Sequence, residues 1–119
     1  MTETTHVHTR GSDGVVRLPD LAARLLEEAH AHNSQRAAET ITSGPSMRAT
    51  VIALVAGAEL AEHESPPAAT LQVLVGETRL SAAGGVWLAR DGEIVAIPPE
   101  RHALRAITDA VVLLTVALH

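Results

Sequence analysis

The sequence predicts an all-β barrel or sandwich preceded by one α-helix. Three observations carry that prediction. From Gln35 onward, short apolar and β-branched runs recur roughly every 8–12 residues, separated by turn chemistry at Gly76, Gly84-Gly85, Asp91-Gly92 and Asp109. Ahead of them, Leu21, Leu25, Leu26 and Ala29 recur at helical spacing. The apolar residues, 46% of the chain, include one Trp and neither Phe nor Tyr, so small aliphatic side chains fill the interior. A narrow sheet interior suits them.

Taken in order, residues 1–14 are polar and Thr-rich and read as a flexible arm. His6 and His8 lie two apart, a spacing that in an extended chain puts both rings on one side, where they could pinch a metal. A solvated tail is the plainer reading. The helix spans about residues 19–32, with Pro19 in the first turn, where its fixed φ is tolerated, and Asp20 complementing the dipole. Arg24, Glu27 and Glu28 face away from the apolar stripe. His30 and His32 lie near the C-terminal end, where a cation is favoured; about 200° apart around the axis, they cannot share one metal. Asn33-Ser34 ends the helix.

Strands are expected at about residues 37–42, 47–56, 71–75, 77–81, 86–89, 94–97, 103–108 and 111–118, giving a barrel over about residues 36–118. Pro66-Pro67 and Pro98-Pro99 must lie outside the central ladders, because proline cannot donate to them. Helix and barrel make one domain, and only the arm stands apart.

Bulk properties exclude several classes of function. Nine basic residues, all Arg, are scattered and outnumbered by 14 acids, for a net charge of −5. A nucleic-acid partner would need a clustered basic face. With no Cys there is no disulfide, thiolate or Cys-type zinc site. No basic-plus-apolar leader opens the chain, and apolar runs such as 110–118 fall short of the ~20 residues of a membrane helix. A cytoplasmic protein without a membrane partner is expected.

Two segments stand out. In the first, Gly57 is followed after five residues by His63, with Gly76 thirteen positions later; in the second, Gly92 is followed after five residues by Pro98-Pro99-Glu100-Arg101-His102. They resemble the two motifs of the cupin superfamily, and over about residues 47–118 the chain is similar to small single-domain bacterial cupins of the RmlC-like kind. The first family motif is Gly, five residues, His-x-His, three or four residues, Glu, six residues, Gly. The second is Gly, five residues, Pro-x-Gly, two residues, His. Here the second is one residue short, and Glu100 stands where the family has Gly. The resemblance implies a cupin double-stranded β-helix, a jelly-roll barrel, preceded here by the helix. It also implies a homodimer whose N-terminal segment packs on its neighbour.

Cupins typically hold a divalent metal through three His and one Glu inside the barrel. By position His63 matches the first ligand and His102 the last, while Ser65 takes the place of the second His and Ala69 that of the Glu. The flanking Glu62 and Glu64 alternate to the opposite face from His63, and Gln72 has the wrong parity relative to Ala69 unless a bulge intervenes. The resemblance therefore implies a small-molecule-binding barrel with a reduced, two-His site for Fe, Mn, Ni, Cu or Zn. His63 and His102 are its candidate metal ligands and catalytic residues, and Ser65, Ala69 and Gln72 line the candidate substrate pocket. A metal-dependent oxygenase or isomerase fits that site. The alternatives are metal-free: a His-base isomerase or cyclase, or a non-catalytic ligand-binding or sensing module. Arg48, Arg79 and Arg105 are candidates for a substrate carboxylate, although strand arginines are more often solvent-facing. Trp87 reads as core or dimer packing.

Overall fold

The structure, a computed structural model, describes Thr5, residues 14–63 and residues 66–118, with Glu62 and His63 described through their backbone. The arm histidines His6 and His8 therefore lie outside the described residues. Helix α1 covers Leu18–Ala31, with Pro19 in its first turn and Asp20 paired to Arg17 at 2.9 Å. It stops one residue earlier than expected, because His32 is already extended.

The strands are β1 Arg36–Ser43, β2 Met47–Leu54, β3 Glu59–His63, β4 Ala69–Val75, β5 Glu77–Ala82, β6 Gly85–Arg90, β7 Ile94–Ala96, β8 His102–Ala106 and β9 Ala110–Ala117. They form two antiparallel sheets, ordered β1-β2-β9-β4-β7 and β3-β8-β5-β6. Eight correspond to expected strands. The ninth, β3, reads Glu-Leu-Ala-Glu-His and has neither apolar alternation nor β-branched residues to announce it. It forms because β8 offers it a partner at the sheet edge.

Alternation along the strands builds two cores. On β2, Val51 and Ala53 face α1 while Leu54 and the half-buried Ile52 face the second sheet; on β9, Val111 faces α1 and Val112 the second sheet. The first sheet is thus covered on both sides, which is why β9 is apolar at nearly every position. Leu21, Ala22, Leu25 and Ala29 are the buried stripe of α1. The inter-sheet core comprises Leu54, Leu71, Val73, Leu80, Leu104 and Val112 with smaller neighbours, and Trp87 packs half-buried against it. Thr78, 1% exposed, satisfies its hydroxyl by donating to the carbonyl of Ala89 at 3.0 Å.

Gly76 makes the turn from β4 to β5 with φ +89°, and a Cβ there would collide with the carbonyl oxygen of Asp109. Both proline pairs lie outside the ladders, as expected. No helix among the described residues is long and apolar enough to cross a membrane.

Candidate functional site

One end of the barrel is defined by two crossings between the sheets, from the end of β3 to the start of β4 and from β7 to β8. His63 ends β3, Ala69 begins β4 and His102 begins β8. In the β3–β8 ladder His63 is the Cα partner of His102, after a register shift that follows Leu60. Residues far apart in the chain are thereby set opposite each other at the mouth.

His102 is buried, 3% exposed, and its Nδ1 stands 3.0 Å from the carbonyl oxygen of Glu100. A carbonyl only accepts, so Nδ1 carries a proton and donates it. Glu100 is itself tied down. Its backbone N–H donates to the carbonyl of Pro98 at 2.8 Å, and its Oε1 accepts the N–H of Gly84 at 2.8 Å from the β5–β6 turn. The residue that breaks the glycine position of the second motif therefore orients the histidine that ends it. Sequence reasoning noted Glu100 only as a departure; the signal was a carboxylate where the family has no side chain.

Ala69 lies on the inner face of β4 with Leu71 and Val73, in one ladder row with Val116 and Arg48. Its methyl cannot ligate anything. The next row, Thr50–Leu114–Leu71, is apolar but for the threonine. Gln72 does not share this face: it pairs with Leu113, which packs toward α1, and the bulge in β4 falls later, between Val73 and Val75. Ser65 and Glu64 lie outside the described residues. Arg79 and Arg105 point away from the barrel, whereas Arg48 holds an inner-face register position at the mouth.

Among the described residues no three His, Asp or Glu side chains converge. At the mouth the described side chains supply one imidazole, His102, and a methyl at Ala69, too few donors by themselves for a divalent metal.

Outside the mouth, Asp109 joins three elements. Its Oδ1 accepts the N–H of Ala56 at 2.8 Å and its Oδ2 contacts Nε2 of His30, on α1, at 2.6 Å. The Ala56 hydrogen bond first, and then His30, hold the Asp109 carboxyl below the usual carboxylate range.

The architecture can now be placed among known structures. A conserved protein of unknown function from Streptococcus pyogenes superposes with a TM-score of 0.66 at 25% identity, over 72% of this chain and 76% of that one. A cupin superfamily protein from Desulfitobacterium hafniense gives 0.68 at 12% identity, over 74% and 82%. An RmlC-like cupin from Desulfovibrio desulfuricans gives 0.64 at 24% identity, over 95% and 98%. The chain has the cupin fold. The jelly roll expected from the Gly57–Gly76 and Gly92–His102 segments is thus the one it adopts, and the likeness to small bacterial cupins extends to nearly the whole chain. No protein-family model and no curated protein sequence matches it.

Proposed function

We propose that this cupin binds a small, largely apolar carboxylic acid at the barrel end where His63 and His102 are paired. The observation that carries the reading is that cross-strand register, which sets two imidazole-bearing positions opposite each other at the mouth of an aliphatic barrel. Arg48 supports the choice of an acid. It shares a ladder row with Ala69, so where the family pattern has an anionic ligand this row has a methyl and a cation. His102, its ring oriented by the Glu100 carbonyl, is the candidate base for a His-base isomerase or cyclase. Binding without turnover, as in a sensing module, uses the same contacts. Assembly as a homodimer belongs to this reading; among the described strands β1 pairs with β2 alone, and a second copy can cover its other edge.

The same histidine pairing favours a second reading, a two-His divalent metal site. One experiment separates the two. Untagged protein purified without chelators is assayed for Fe, Mn, Ni, Cu and Zn, and its melting temperature is measured with benzoate and with short-chain fatty acids. The expected result is little metal and a rise in melting temperature that Arg48→Gln and His102→Gln abolish. Stoichiometric metal lost in His63→Ala would replace this reading with the metal site.

A further inference from the structure

The outer face of the β3-β8-β5-β6 sheet carries charges for which the barrel has no use. Arg105 on β8 is the Cα partner of Arg79 on β5 and of Glu59 on β3. Both arginines are exposed and alternate with the buried Thr78, Leu80, Leu104 and Ala106, so they project outward side by side. Like charges directly opposite each other destabilise a sheet. Arg17, Arg24 and Arg90 each have a carboxylate within 4.0 Å, but among the described residues neither Arg79 nor Arg105 does. Beside them opens a cleft of about 180 Å³ lined by Glu59, Arg79, Ser81, Ala103, Leu104 and Arg105.

We propose that this cleft is an oxyanion-binding site in which Arg79 and Arg105 take one carboxylate or phosphate group between them, with the Ser81 hydroxyl as a third donor. Two planar guanidinium forks on neighbouring strands offer the bidentate geometry such a group prefers, and a bound anion removes their mutual repulsion. Glu59 lines the same cleft and acts as an internal competitor that weakens binding. The strand beyond Arg79 presents Leu88 and Val86, 72% and 49% exposed, which suits an anion with an apolar body. A second copy stacked on this face about a twofold axis through the pair does not answer the charge, because it sets the arginines over their own equivalents. The site lies across the sheet from His102, so its fate is independent of the barrel reading.

The test is a titration of the isotope-labelled full chain with inorganic phosphate and, separately, with acetate, at low ionic strength and with chloride as control, followed by amide shifts. The expected result is shifts concentrated at residues 79–81 and 103–105. Affinity should be at least about tenfold weaker in Arg79→Gln/Arg105→Gln and a few-fold tighter in Glu59→Gln. Whichever of phosphate and acetate binds more tightly identifies the source of the group. Folding is checked by Arg79→Gln alone, which should melt no lower than the parent without anion and lose the rise that phosphate gives the parent. Equal shifts with chloride, or binding unchanged in the double variant and in Glu59→Gln, would overturn the proposal.

Discussion

Nδ1 of His102 is committed to the Glu100 carbonyl, and Glu100 is committed to Gly84, so the chemistry at the mouth depends on a loop contact outside it. Glu100→Ala removes the acceptor of the Gly84 N–H while leaving the carbonyl that holds His102. It should cost about 1 kcal/mol of stability and loosen the ligand site, read as a smaller ligand-induced rise in melting temperature than the parent shows. Gly76 is the opposite case, a position governed by backbone alone. Any side chain there meets the Asp109 carbonyl at a φ that L residues avoid, so Gly76→Ala should destabilise by more than the ~1 kcal/mol of an ordinary left-handed substitution. Chemical denaturation of the two variants checks both.

At the level of elements, α1 is held by an apolar stripe and by polar ties at its rim. Leu25, 1% exposed, is the centre of the stripe, and Leu25→Ala should cost about 2–5 kcal/mol in denaturant titrations. The rim contact of Asp109 with His30 and Ala56 adds a pH dependence whose sign follows from its lowered carboxyl. A carboxyl lower in the folded than in the unfolded chain contributes stability that is present above the unfolded value, near 3.9, and lost as pH falls through the folded one. The melting temperature should therefore fall on acidification below about pH 4. Asp109→Asn should flatten that acid limb while lowering stability at neutral pH. The effect should be small, because both side chains of the contact are more than a third exposed.

At the level of the whole molecule, the first sheet lies between two cores, so helix and barrel share strands β2, β4 and β9 and cannot come apart independently. Unfolding should be a single transition. Trp87, the one tryptophan, reports the inter-sheet core, and helical circular dichroism reports α1; their midpoints should coincide. The proposed homodimer is checked on the same scale by light scattering after size exclusion, with a mass near twice that of the chain expected.

Much of this fold was legible because its signals are local. Leu21, Leu25 and Ala29 mark one face of a helix by spacing alone, and the glycine and Asp-Gly turns punctuate the strands. Residues 59–63 escaped as a strand, since a polar edge segment carries no period and takes its conformation from β8. The site was legible only as two histidines in two motifs. The role of Glu100 and the exclusion of Gln72 depend on a turn contact and on where a bulge falls. By itself the sequence determined the all-β class, the leading helix and the order of turns, because periodicity, proline and glycine act within a few residues. Only the tertiary structure decided that His63 pairs with His102 in the β3–β8 ladder at the mouth, while Arg79 pairs with Arg105 on the outer face. Strand register joins distant segments, and a shift of one residue sends every side chain to the other face.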